Sequence, residues 1–213
     1  MSRTERDYVS LSCLCVGVGP GGTTSMLARV AIVSWFGTVQ FEAFVSPGTH
    51  VVTDYRTSIT GITEQDLSSR TSFSCLVFST LPHVTYVAEA LPFNTVQQRV
   101  AELIKGKVLI GHCLWNDLSV LGIPHPAVDT RDVALYMPFR NSLKVQQMIG
   151  LPTLMWSLMS REIQQAGEPI HPVENARAAM DLYRSYNGPW ESAIGKANWP
   201  CCLPPDTFSR CYT

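Results

Sequence analysis

The segment YVSLSCLCVGVG, residues 8–19, reads as a buried strand that runs into a glycine turn. Ser12 and Leu14 stand two apart in it, so on a strand their side chains share one face. A pair of hard divalent cations wants carboxylates at such a spacing, because anionic oxygens offset the cost of dehydrating the ions. This strand offers a hydroxyl and a hydrocarbon. Asp117, in WNDL, is a carboxylate suited to acid–base work. It also heads the run DLSVLGI, where an aspartate serves equally well as a helix N-cap. His112 closes the short apolar run KVLIGH, and a histidine there more often packs or bonds to backbone than catalyses. Gly17-Val-Gly19-Pro-Gly-Gly22 fits G-x-G-x-x-G, with Glu42 twenty residues on. The element that follows reads as strand and not helix, so the dinucleotide context fails and a hairpin turn is expected. Cys201, Cys202 and Cys211 lie in ANWPCCLPPDTFSRCYT with poor spacing for zinc, so a loosely packed tail is the expectation there.

The elements that must position these groups alternate in type. Residues 8–18 read as a first strand, 26–36 as a second and VQFEAFVSP as a third, with Phe36-Gly37-Thr38 as a hairpin turn. LPFNTVQQRVAELIKG has helical periodicity at Val96, Val100, Leu103 and Ile104, with Gly106 as its stop. KVLIGH is a short buried strand, NDLSVLGI opens a helix, and AVDTRDVALY is a strand followed by a loop. LPTLMWSLMSREIQQAG predicts a helix from about Pro152 to Gly167, and VENARAAMDLYRSYN predicts another. Meandering strands followed by alternating helices and strands imply an α/β sheet of mixed direction.

Composition narrows the partners. The chain has 213 residues, 46% of them hydrophobic, enough for one domain with a real core. Charged residues make up 15%, against about 25% in ordinary soluble domains. Sixteen Lys and Arg against seventeen Asp and Glu leave a net charge of −1. Gripping a phosphate backbone draws on an excess of cations, so this balance weakens a nucleic-acid role without removing it. No apolar run approaches the roughly 20 residues of a membrane helix, and the polar start MSRTERDY has no signal-peptide core. Seven cysteines without such a signal read as free thiols in a reducing, intracellular compartment, cytoplasmic or nuclear.

Taken together, YVSLSCLCVGVGPGGTTSMLARVAIV, VTDYRTSITGIT, KVLIGHCLWNDL, TRDVALYMPFR and VENARAAMDLYR resemble the DEDDh 3′→5′ exonucleases. The likeness is strongest to the branch that contains RNA exonuclease 4 and the interferon-stimulated exonuclease. It implies a ribonuclease-H-like α/β fold with a five-stranded mixed sheet flanked by helices. The expected organisation is a tail over 1–7, an exonuclease-like domain over 8–190 with an insertion near 68–90, and a tail over 191–213. The insertion, SSRTSFSCLVFSTLPHVTYVAE, reads as a lid, a partner-binding flap or translated non-coding sequence.

The resemblance also implies chemistry: four carboxylates hold two metals that activate a water, and a histidine takes the water's proton. The matching positions here are Ser12, Leu14, Asp117 and Asn175, and the histidine position falls on Ile170, beside His171. Only Asp117 keeps its carboxylate, so the expectation is no bound metal, no other cofactor and no metal-dependent cleavage. The former groove would be lined by Cys13, Cys15, Tyr55, Arg56, His112 and Asn116 around those positions. Such a mixed apolar pocket suits a small organic molecule. Asp117 and His171 are then the candidate acid–base pair, for an isomerisation or a dehydration. The competing readings are a non-catalytic protein that binds RNA, DNA or a protein partner, and a weak residual exonuclease.

Overall fold

The computed structural model describes residues 4–68 and 89–213. The expected insertion lies almost wholly outside the described residues. The strands are β1 (Tyr8–Val18), β2 (Thr24–Ser34), β3 (Val39–Ser46), β4 (Val52–Asp54), β5 (Leu91–Pro92), β6 (Val108–Gly111) and β7 (Thr130–Asp132). The helices are α1 (Thr57–Thr60), α2 (Glu64–Leu67), α3 (Phe93–Ile104), α4 (Leu114–Leu121), α5 (Met137–Leu143), α6 (Leu151–Met159) and α7 (Pro172–Gly195).

The sheet runs β5-β3-β2-β1-β6-β7, and β4 pairs with the far end of β1. Among the described residues that makes seven strands where five were expected, because β4 and β5, of three and two residues, are too short to leave an alternation in the sequence. β1, β2 and β3 are antiparallel, whereas β6 runs parallel to β1 and β7 parallel to β6. The glycine run 17–22 makes the tight link between β1 and β2. A Cβ on Gly17 would stand 2.6 Å from the Gly22 carbonyl oxygen, and Gly22 itself has φ +68°. These glycines serve a backbone crossing and not a pyrophosphate, as the strand that follows them predicts.

Alternation along β1 builds the layers. Val9 and Leu11 face α3 and α4 in one core cluster, which includes Val96, Val100, Leu114 and Leu118. Leu14 and Val16 face the opposite way and join Ile62 and Leu67. On that second face, α7 lays Val173 and Ala176 against Ala31 and Val33 of β2. α6 and α7 enclose Phe139, Leu154, Met155, Tyr183 and Trp190. The Trp190 ring stacks on Tyr136 at 3.8 Å between centroids.

Two expectations are corrected here. The helix from Pro152 stops at Met159, where Ser160 takes a left-handed conformation, and residues 160–171 form a loop. The C-terminal segment is not loosely packed. Cys202 N–H donates to the Leu135 carbonyl, His125 N–H to Cys211, and Thr213 N–H to His125, while Cys211 sits in the core beside α4. The segment bridges His125 and Tyr136, on either side of β7 in the chain, which the short sequence of prolines and polar residues does not announce.

Candidate functional site

β1 pairs with β6 only through Tyr8, Val9 and Ser10, and β6 ends at Gly111. Beyond that point β1 continues with its edge open until Gly17 meets β4. A crevice at the carboxyl end of a parallel strand is where open α/β sheets gather ligands. A cavity of about 290 Å³ occupies it. Its walls bring together Ser12, Cys13, His112, Asp117 and Asn175 of the predicted residues, with Leu151, Pro152 and Gln164 added.

Asp117 lies in the fourth position of α4 and not at its cap. The cap is Cys113, in a left-handed conformation, and the carboxylate that serves the helix start is Asp132. Asp132 accepts from the N–H groups of Cys113 (3.0 Å), Leu114 (2.7 Å) and Ala134 (2.9 Å). The N-cap expectation for Asp117 is therefore overturned, and Asp132, inside the quoted TRDVALYMPFR, was not singled out. A carboxylate that follows a strand and precedes a turn is a signal that could have found it.

With that duty taken, Asp117 is turned toward β1. Burial pushes its carboxyl well above the usual carboxylate range, and the nearby Asp132 charge adds to this. The Cys13 backbone N–H, on the open edge of β1, donates to it and opposes the shift in part. Burial and the Asp117 charge also raise the Cys13 thiol, and they raise Cys15 to about 12 against a smaller opposing pull from Arg56. Cys113 is raised by burial, Asp132 and Asp117. These thiols stay protonated at neutral pH, which fits poorly with nucleophilic roles. His112 donates from Nε2 to the Ile149 carbonyl at 2.8 Å, since a carbonyl can only accept. That bond fixes its ring against the loop before α6.

Several predicted residues go elsewhere. Leu14 is buried in an apolar cluster against which Tyr55 and Ile170 pack. The positions matched to a metal carboxylate and to the general base thus share an apolar cluster. Arg56 donates to the Gly22 carbonyl at 3.0 Å and to Ser25 Oγ at 3.3 Å, so it latches the β1–β2 turn and does not line the cavity. Asn116 is exposed on the outer side of α4, and Cys15 is outside the cavity wall. His171 caps α7, with Nδ1 accepting from Val173 N–H at 3.3 Å. Its Nε2 lies 2.8 Å from the Arg29 guanidinium and 3.8 Å from Glu42. Burial and Arg29 lower its pKa, so the ring is neutral at pH 7. It faces a separate groove beside Phe36 and Arg177. The expected Asp117–His171 pair is not assembled, because the ring follows the turn into α7 away from α4.

Gln164 is the residue that sequence reasoning missed. It comes from the 160–171 loop with φ 53°, and its Nε2 donates to Asn175 Oδ1 at 2.7 Å. Its own N–H donates to Glu174 at 3.1 Å. No periodicity marks a loop side chain of this kind, and the surrounding REIQQAGEP reads as helix on propensity alone.

Comparison with known proteins places this geometry. No protein-family model matches the sequence. RNA exonuclease 4 of Mycosarcoma maydis is 38% identical over 192 residues, covering 90% of this chain and 45% of the relative. RNA exonuclease 4 of Homo sapiens is 35% identical over 201 residues, covering 94% of this chain and 42% of the relative. Apoptosis-enhancing nuclease of Pongo abelii is 34% identical over 195 residues, covering 91% and 54%. The chain belongs to the exonuclease family of these relatives. It spans about half the length of the curated relatives it matches. Among solved structures, the apo Pan2 pseudoubiquitin hydrolase–RNA exonuclease module of Saccharomyces cerevisiae superposes with a TM-score of 0.68 at 24% identity, covering 92% of this chain and 31% of that chain. The Pan2 catalytic unit of Neurospora crassa gives 0.66 at 19% identity, covering 93% and 29%. These likenesses carry the ribonuclease-H-like α/β fold.

The donor set of this family member does not fit the two metals that the resemblance implies. Among the described residues that line the cavity, Asp117 is the one carboxylate. Ser12 and Asn175 offer neutral oxygens, and the Asn175 oxygen already accepts from Gln164. Leu14 offers none. No group of three or more His, Cys, Asp or Glu is gathered to hold a metal among the described residues. Two Mg²⁺ ions would be left with a single anionic ligand that burial itself tends to protonate. Likewise, no helix among the described residues is long and apolar enough to cross a membrane.

Proposed function

We propose that this is an exonuclease-fold protein without two-metal nuclease activity, whose former catalytic crevice binds a small organic molecule. The donor set carries the reading. Three of the four matched positions have a neutral substitute: Leu14 in an apolar cluster, Asn175 bonded to Gln164, and Ser12 at the cavity wall. Of these substitutes, Leu14 is buried in an apolar cluster and Asn175 is hydrogen-bonded, so neither is held ready for a cation. Binding is favoured over acid–base catalysis, since the expected Asp117–His171 pair is not assembled and His112 is tied to the Ile149 carbonyl. If there is a reaction, Asp117 carries it as a lone acid.

The test is an end-labelled single-stranded RNA incubated with the chain in Mg²⁺ and in Mn²⁺. No shortening is expected, and calorimetry with Mn²⁺ should give no binding tighter than millimolar. Metal-dependent shortening by the unmodified chain would overturn the reading. Restoring Ser12→Asp, Leu14→Glu and Asn175→Asp together should create measurable Mn²⁺ binding if the matched positions converge as argued. The names of the relatives favour one second reading, a non-catalytic RNA-binding protein. Retention of the same RNA on a filter at low salt, lost at high salt, would favour it.

A further inference from the structure

Two side chains, Gln164 and Pro152, line both the Asp117 cavity and a wider outer groove of about 700 Å³. The groove runs along α6 and contains Trp156, whose side of the helix leaves it 59% exposed. A tryptophan held so open beside the mouth of a cavity is a ready stacking platform. Between the two spaces stands the Gln164 side chain, held only by its bond to Asn175 and carried on left-handed backbone that ordinarily favours glycine.

We propose that the Asp117 cavity and the Trp156 groove form one binding site, with Gln164 as its movable partition, for a neutral aromatic molecule that carries a carbonyl. This rests on the reading above that the crevice is a small-molecule site. The charge pattern argues against an anion. No Lys or Arg lines the cavity or the groove among the described residues, and the groove carries Glu162, so a phosphate or carboxylate would find no counter-charge. The carbonyl follows from the donors. One Asp117 oxygen takes the Cys13 N–H, and burial shifts the carboxyl toward its protonated form, whose O–H is a donor directed at the cavity it lines. The Ser12 hydroxyl is a second donor on the same wall. The aromatic part follows from Trp156, and Leu151 and Pro152 line the passage between.

Ligand-observed NMR on the intact chain tests this with three probes of one shape: 2-acetonaphthone, 2-ethylnaphthalene and 2-naphthoate. The ketone should bind, and about fivefold or more tighter than the hydrocarbon, the worth of one hydrogen bond. The anion should bind weakest. Trp156→Ala should weaken the ketone by about fivefold, because the stacking face is lost. Asp117→Asn keeps a donor and should retain most of the ketone affinity, and Asp117→Ala should lose it. Far-ultraviolet circular dichroism checks that each variant is folded. If Asp117→Ala does not fold, the comparison of ketone with hydrocarbon decides the matter. Equal binding of ketone and hydrocarbon overturns the assignment of the donors. Unchanged ketone binding in Trp156→Ala overturns the joined site, and no ketone binding overturns the whole proposal. Metal-dependent RNA shortening is a separate readout, so failure of the underlying reading is seen independently of these outcomes.

Discussion

Asp132 at the end of β7 and Asp117 on α4 belong to one neighbourhood, close enough that the charge of Asp132 bears on Asp117. Asp132 is buried and Asp117 is half-buried at the cavity wall. Asp132 is 2% exposed and meets three backbone N–H groups that start α4 and shape the turn after β7. Asp117 meets one N–H, from Cys13, and a cavity. Burial therefore makes Asp132 a structural anchor and leaves Asp117 with unspent hydrogen-bonding capacity. The residue type is the same. The supply of backbone donors around it separates anchor from site.

Removing the anchor should break this contrast most severely. Asp132→Ala strips the α4 start of its acceptor, and we expect a loss of about 3 kcal/mol in urea unfolding. A loss under about 1 kcal/mol would mean that water or another group serves those donors equally well. Next in size is Leu14→Glu, which places a carboxylate in the apolar cluster with Ile62 and Ile170 without its partner acids. It should cost about 2 kcal/mol alone, and less when Ser12→Asp and Asn175→Asp accompany it in the presence of Mn²⁺.

Asp117→Asn sharpens the contrast from the other side. Burial holds the folded Asp117 pKa above its unfolded value, so the folded chain keeps a proton that the unfolded chain gives up. The parent chain then loses stability as pH rises from the ordinary carboxylate range toward the raised value, with a limiting slope of about 1.4 kcal/mol per pH unit. The amide has no proton to lose, and the variant should be the more stable one at pH 7. Thermal unfolding between pH 4 and 8 reads the difference, and parallel curves would show that Asp117 is not desolvated. The smallest effect belongs to His171. Its pKa is lowered by burial and Arg29, so stability is lost as pH falls below the usual imidazole value. His171→Asn keeps an N-cap acceptor and should flatten that loss by about 0.5 kcal/mol, solvent screening included. A full-sized pH dependence surviving in the variant would assign it to another group.

Much of the scaffold was legible in the chain. Alternation over 8–18 and the helical period at Val96, Val100 and Ile104 are set by burial of one face, and both appear as expected. The glycine crossing at 17–22 was readable because strand and not helix follows it. The end of α6 was not, since REIQQAGEP is adequate helix former and only packing turns it into a loop. Of the groove read from the matched segments, the structure gathers Ser12, Cys13, His112, Asp117 and Asn175 at one cavity and directs Cys15, Tyr55, Arg56, Asn116 and His171 elsewhere.

The sequence by itself determined the inventory: one carboxylate among the four matched positions, neutral groups at the others, and no surplus of cations to hold a phosphate backbone. Only the tertiary structure decided which groups meet. Asp132 takes the helix start, Gln164 reaches Asn175, Ile170 packs on the cluster that buries Leu14, and the His171 ring turns toward Arg29. The reason is geometric. Residue type sets what a side chain can do, but its direction and company come from elements that approach from distant parts of the chain, and no local period encodes that approach.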